Sequence, residues 1–448
     1  MKPTIQMESM RLADWSGYTD FGGTAEVYAP RTEAEIVDLV RYCRDNQRKL
    51  RVIGLQTSWN TLWYCPDVMM TTKYLNHIQE IDVKNRTITC ESGVTLEQIH
   101  DALWEKGLTL DTAPAVDWVT VGGSVSTGSH GSGPASNSSS MIGCRLITAD
   151  GSIVEIGEGN ELLDAVRISM GTLGVLSTIT LKVVDAFYVS MDRVRIPTRD
   201  WKRYLTEGEM SYLLWFPHTE YSVLAKCEVI RDPAEAERRA AEVSSKGFDA
   251  NNPDDVERLG VDINKPVSAI AGFANIMPST FPARNRYLLD VLFQDVKKVG
   301  PAHEVLMSFR SAPIAGGEWS VPVARFEAAL ADMQAEIAKG DFYLPIVWLK
   351  KVAGETAWLS AADEECVQCG IYHHLIEGTP SHVKEMVTRI ERLMLRHGGR
   401  PHVGKLIYLD PADLRRAYPK WDKFNALRRQ MDPQGMFWSD ALAKSFGN

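Results

Sequence analysis

Apolar positions near the N-terminus recur at helical spacing behind recognisable caps. In "PRTEAEIVDLVRYCRDN", Thr32 followed by Glu35 makes a capping box, and Ile36, Leu39, Val40 and Cys43 line one face of a predicted helix. The next segment, "LRVIG", reads as a short strand. A second helix is predicted from Thr95, with Gln98 in the box position, through "LEQIHDALWEKG" to a left-handed cap at Gly107. Between the two, "HIQEIDVKNRTITCES" reads as paired strands around an Asn-Arg turn, so residues 20 to 115 form a compact mixed α/β unit. Next, "CRLITADGSIVEI" predicts a hairpin whose Asp150-Gly151 pair suits a type I′ turn. Then "ELLDAVRISMGTLGVLSTITLKVV" gives a short helix, a glycine turn and a buried strand, completing a second unit near residue 187.

The pattern changes further on. From Asp232 to Asp262 the chain is charged and alanine-rich, which predicts a helical surface insertion. "VARFEAALADMQAEIAKG" and "SHVKEMVTRIERLMLRHGG" are amphipathic helices flanking strands at "YLPIVWLKKV" and "QCGIYHHLIEG". That order predicts an antiparallel sheet covered on one face, and an α+β class for the whole. Strand alternation puts Tyr372 and His374 on one side and His373 on the other.

With 448 residues the chain exceeds one ordinary core, so two domains are expected. Apolar residues make up 44% and no apolar run approaches the roughly 20 residues of a membrane span, which predicts a globular protein without one. "MKPTIQMESMRLADW" lacks an apolar signal core and an arginine-rich address, so a cytoplasmic location is expected. A net charge of -9 argues against nucleic acid and favours a small-molecule partner. The seven cysteines are scattered, as free thiols would be. Cys366 and Cys369 form a CxxC with no second pair, and facing opposite sides of a strand they predict no metal.

One stretch stands apart from this charged background: "VTVGGSVSTGSHGSG", Val119 to Gly133. Glycines let a backbone approach a bulky ligand, and consecutive amides with hydroxyls suit a pyrophosphate; a glycine-rich surface loop is the alternative. It is not a GxGxxG following the first strand, and "GK" occurs only at Gly404-Lys405, without a Walker spacing. The order of "RVIGLQTSWN", "VTVGGSVSTGSHGSG", "LITADGSIVEI" and "GTLGVLSTITLKV" resembles the FAD domain of the vanillyl-alcohol oxidase type of flavoenzymes. "LLWFPHTE", "GGRPHVGK" and "YPKWDKFNALRRQMDPQGMFWSDAL" look like the sugar-1,4-lactone oxidase and alditol oxidase branch, and the resemblance spans nearly the whole chain.

This resemblance implies a two-subdomain PCMH-type FAD-binding domain over residues 1–187, completed by 406–448, and an α+β substrate cap over 188–405. It implies that Ile53, Gly54, Leu55, Gln56, Thr57, Ser58 and Trp59 form the first cofactor loop. Gly122, Gly123, Ser124, Thr127, Gly128, Ser129, His130, Gly131 and Ser132 would form the second, with Val175 near the adenosine. Relatives often bond the flavin covalently to a histidine where this chain has Thr57, so non-covalent FAD is expected, a link to His130 being the alternative. Ser124 matches a serine beside the substrate, or only caps a turn. Lys405 takes the lysine position of a His-Trp-Gly-Lys signature in which Val403 replaces the tryptophan. It would steady negative charge on the flavin, with His402 touching the ring. The Glu-x-Arg pair of polyol- and lactone-binding relatives is absent: its segment offers Val347 and Leu349, or Trp348 and Lys350. Tyr372 and His374 are expected to face the flavin, His374 as a proton acceptor or a packed histidine. The implied activity is oxidation of an alcohol carbon of a sugar-like or polyol-like substrate by hydride transfer to FAD, with oxygen or another acceptor restoring the flavin. A larger natural product, a nucleoside or an amine is the competing substrate class, and a flavin-binding protein without turnover a third possibility.

Overall fold

The computed structural model describes residues 3–243, 264–292, 296–307 and 313–447. Among the described residues, three sheets of four strands or more carry the fold, beside a two-stranded pairing of Leu108–Thr109 with Val184–Asp185. The first is four-stranded, in the spatial order Met7–Ala13, Asp20–Tyr28, Val68–Thr71, Leu50–Ile53, antiparallel in its first pair and parallel elsewhere. Helix Glu33–Asp45 packs on it through Ile36, Leu39, Val40 and Cys43, and the Thr32 side chain accepts from the Glu35 amide as its cap. The second sheet is five-stranded and antiparallel: Ile78–Asp82, Thr87–Glu91, Val175–Lys182, Met141–Ile147, Ile153–Ile156. Helix Leu96–Trp104 has the full Thr95/Gln98 capping box.

Two local readings change. The hairpin after Met141–Ile147 is not closed by a type I′ turn, which needs positive φ at both central residues. Only Gly151 has it, at φ 79°, and the loop is wider: the Thr148 amide donates to the Ser152 carbonyl while Asp150 accepts from Thr148 Oγ1 and Ser152. The glycine stretch is not a loop throughout, because Val121–Thr127 is a helix. Thr120 caps it by accepting from the Gly123 amide, Gly128 closes it in the left-handed region, and Val121 and Val125, one turn apart, sit in the core. Those three signals outweigh the cost of two glycines in its first turn.

The third sheet has eight antiparallel strands, in the order Lys297–Pro301, Tyr188–Pro197, Tyr221–Ile230, Tyr212–Trp215, Val347–Val352, Cys366–His374, Ile314–Pro322, Arg400–Pro401. Helices Val323–Ala338 and Val383–Arg396 cover one face, where Phe326, Met333, Val387 and Ile390 meet Val367, Cys369 and Ile371. The opposite face, carrying Gly370, Tyr372, Trp348 and Glu318, looks toward the two smaller sheets. Of the charged segment from Asp232, Pro233–Val243 is helical, and the part from residue 244 to Asp262 lies outside the described residues. The C-terminal helices Pro411–Ala417, Trp421–Met431 and Asp440–Phe446 return to the first half, where Tyr418, Trp421, Phe424 and Phe446 pack with Leu96, Ile99 and Leu103. All seven cysteines are free and buried; burial pushes the Cys366 thiol up to about 12. No helix among the described residues is long and apolar enough to cross a membrane.

Candidate active site

A cavity of about 440 Å³ lies between the two halves. Its first wall is the segment from Ile53 to Trp59, which continues from strand Leu50–Ile53. Its second is helix Val121–Thr127 with the segment after its C-terminus, contributing Gly122, Gly123, Ser124, Thr127, Ser129 and His130; Val175 joins them. These walls touch: a Cβ on Gly54 would stand 2.5 Å from Thr120 Oγ1, and one on Gly122 would stand 2.8 Å from the Ser92 carbonyl oxygen. Only glycine permits that approach.

The two walls offer different groups. In the first, the amides of Leu55 to Ser58 donate to no described residue. In the second, the expected run of available amides is not found, because Gly122 N–H donates to Ser92 O at 2.9 Å and Gly123 N–H to Thr120 Oγ1 at 3.2 Å. It presents hydroxyls instead. Three residues of the sequence-predicted second cradle lie off the cavity wall: Gly128 ends the helix against Ile168, Gly131 is pressed against the Ala113 backbone, and Ser132 is buried. Ser124 is buried on the wall, accepts from Asn137 Nδ2 at 2.7 Å, and does not cap the turn, since Thr120 does that.

The third wall comes from the eight-stranded sheet and holds a residue that the sequence pattern did not single out, Glu318. Register explains its position: Glu318 pairs with Gly370, and Gly370 pairs with Trp348, so the three form one row on the cavity face. Tyr372, two residues on, leans back over Gly370 and donates to Glu318 Oε2 at 2.5 Å. His130 faces Glu318 Oε1 through Nε2 at 2.8 Å and the Gly131 carbonyl through Nδ1 at 3.1 Å, so both ring nitrogens are engaged. Lys405 Nζ lies 3.8 Å from Glu318 Oε2 and 4.5 Å from the centre of the Trp59 ring. Burial by itself would raise the Glu318 carboxyl, but Lys405 and then His130 hold it well below the ordinary carboxylate range. Burial, reinforced by Glu318, drives the Tyr372 phenol well above its usual value.

His402, Tyr372 and His374 also line the cavity. His402 accepts from the Gly404 amide at Nδ1, 2.9 Å, and burial pulls it down to about 3, so it is neutral. Donor atoms of His130, Glu318 and His402 fall within 4.8 Å of one another, with His130 Nε2 already facing Glu318 Oε1 and His402 Nδ1 accepting from the Gly404 amide. Asn60 Nδ2 donates to the Lys405 carbonyl at 3.0 Å, tying the lysine to the first wall. Tyr372 and His374 line the cavity and His373 does not, as alternation required. Burial, then Arg284, lowers His374 to about 3. Lys350, half-buried on the wall, is lowered by burial to about 8 against the pull of Glu318.

Whether the walls suit a dinucleotide can be judged from their unpaired groups. Thr57 Oγ1, Thr72 Oγ1 and Ser92 Oγ line the cavity and are buried without a partner among the described residues. Buried hydroxyls rarely remain so, and together with the unengaged amides of the first wall they fit a polar ligand of FAD's kind.

A glycine-closed cradle beneath an antiparallel cap defines the class, an FAD-dependent oxidoreductase. The FAD-binding domain profile matches residues 24–157. The same fold is seen in cholesterol oxidase from B. sterolicum, with a TM-score of 0.76 and 17% identity over 100% of this chain and 98% of that one. The profile of the D-arabinono-1,4-lactone oxidase family covers residues 179–445, and the chain belongs to that family. It is 25% identical over 440 residues to the L-gulono-1,4-lactone dehydrogenase of Mycobacterium tuberculosis, covering 97% of this chain and 99% of the relative. To the L-gulonolactone oxidase of Mus musculus it is 23% identical over 454 residues, covering 98% and 99%.

Proposed function

We propose that the protein oxidises a CH–OH group of a sugar-like small molecule in the cavity between the cradle and the cap, with domain limits at residues 187 and 406. The observation that carries this is the meeting, on one cavity, of two walls fit for FAD and the Glu318–His130–Tyr372–Lys405 cluster. Relatives named as lactone oxidases and dehydrogenases support the substrate class.

When bound, FAD supplies a hydride acceptor, and oxygen or another acceptor restores it. The first wall would hold the pyrophosphate through the amides of Leu55 to Ser58 and the Thr57 hydroxyl, and Ser124, Thr127 and Ser129 would contribute hydroxyls opposite. Lys405 supplies a fixed positive charge, and Glu318 holds it, with Tyr372 and His130, in one arrangement before the substrate arrives. His374 accepts a hydrogen bond from the substrate hydroxyl. With its conjugate acid at about 3 it orients the hydroxyl without keeping the proton, which passes to solvent water as the hydride leaves, and so is a positioning group.

Binding of FAD is non-covalent in this reading. Thr57 has no nucleophilic nitrogen, and both nitrogens of His130 are engaged by Gly131 and Glu318. Purified protein should be yellow, release its colour to the supernatant on acid precipitation, and bleach anaerobically with a member of a panel of sugars, polyols and lactones. A colourless protein that takes up no FAD would overturn the reading.

A further inference from the structure

We propose that Asn137, which does not itself line the cavity, fixes the direction of the Ser124 hydroxyl, so that Ser124 meets bound FAD as a hydrogen-bond donor. Asn137 is then a positioning residue acting through Ser124, and the inference rests on the reading of the cavity as an FAD site.

A hydroxyl has one proton to give and two lone pairs that accept. The Asn137 side-chain amide donates to Ser124 Oγ at 2.7 Å, which occupies a lone pair and leaves the proton unspent. No acceptor for that proton stands among the described residues. Ser124 lines the cavity, so the proton is left for a ligand there. Its neighbours on the same wall differ. Thr127 spends its hydroxyl proton on the Gly123 carbonyl at 2.9 Å, and the Gly122 and Gly123 amides are engaged by Ser92 and Thr120. A fixed hydroxyl donor thus supplies part of what a glycine-rich cradle gives through free amides.

Asn137 can set this direction because both halves of the chain hold it. Its backbone N–H donates to the Ser129 carbonyl at 2.9 Å, and the Ser129 N–H donates to the Ser124 carbonyl at 3.0 Å, closing a ring through residues 124, 129 and 137. The serines on either side, Ser136 and Ser138, donate to Glu355 Oε2 at 3.0 and 2.7 Å. Glu355 follows strand Val347–Val352, so the cap clamps the segment that carries the amide. Stability does not explain the residue. Asn137 is fully buried and its Oδ1 has no partner among the described residues, which costs free energy that an apolar side chain would avoid. What the amide adds is the bond to Ser124.

FAD affinity tests this, read by flavin fluorescence as FAD is titrated into the full-length protein. Ser124→Ala should raise the Kd about tenfold. Asn137→Leu, which keeps the branching, and Asn137→Ala, which avoids overpacking, should each raise it about three- to tenfold. In a Ser124→Ala background neither Asn137 change should have a further effect, whereas a merely structural role would persist there. An unchanged Kd in a folded Asn137 variant, an unchanged Kd in Ser124→Ala, or the same loss with and without the Ser124 hydroxyl overturns the inference while leaving the FAD reading intact. A protein that takes up no FAD overturns both.

Discussion

Replacing Glu318 by glutamine keeps the shape of the side chain and removes its charge. In the native cluster the carboxylate accepts from His130 at 2.8 Å and Tyr372 at 2.5 Å and faces Lys405 at 3.8 Å. The amide keeps an acceptor for one donor, so the loss is the charge assistance of those bonds, about 1–1.5 kcal/mol. An unpaired Lys405 adds about 0.5–1 kcal/mol, reduced because a quarter of its side chain is exposed and solvent screens it. Together this is about 2 kcal/mol. At about 2.1 cal/mol/K per residue the unfolding entropy of 448 residues is about 0.9 kcal/mol/K, so Tm should fall by about 2 °C if the chain unfolds as one unit. Glu318→Leu, which leaves Lys405 without its counter-charge and His130 and Tyr372 without their shared partner, should cost about 3–5 kcal/mol.

The pH dependence is the sharper assay. Because the folded carboxyl is held below its unfolded value, its contribution is complete above about pH 5 and is lost as pH falls through the folded value. The Tm difference between wild type and Glu318→Gln should therefore be flat from about pH 8 to 5 and shrink below about 4.5. Equal Tm values at pH 7, or a difference that does not move with acidification, would refute an ionised Glu318 at the centre of the site.

The same geometry gives two further outcomes. A Cβ on Gly370 would lie 2.5 Å from the Tyr372 hydroxyl, so Gly370→Ala should displace the ring, break its bond to Glu318 and cost about 1–3 kcal/mol, yet cost almost nothing in a Tyr372→Ala background; additive effects in that double-mutant cycle would show the ring is not what Gly370 accommodates. Burial holds His100 at about 3, and it stacks on His303 at 4.8 Å between the two halves, so the unfolded state binds a proton that the folded one refuses and stability falls as pH drops from about 6.5 toward 3. His100→Leu should flatten that acid limb by about 1.4 kcal/mol per pH unit, and a slope unchanged from wild type in denaturant titrations would contradict this.

What the sequence determined by itself is local. Caps at Thr32 and Thr95, the apolar faces behind them, and the alternation that sends Tyr372 and His374 one way and His373 the other all depend on residues within a few positions of each other. Where local signals compete, as in Val121–Thr127, two glycines hid a helix that Thr120, the valines and Gly128 define. Tertiary structure alone decided the rest. Glu318 is a single carboxylate in the run "IAGGEWSVP", which any half-exposed strand could carry. It acquires its role because sheet register sets it beside Gly370, and because packing of the cap on the cradle brings His130 to it from 188 residues away. In the same way Lys350 becomes a desolvated charge only once the sheet surrounds it with Tyr212, Gln368 and Trp348. Charge burial is a property of three-dimensional neighbours, and short-range pattern contains no record of them.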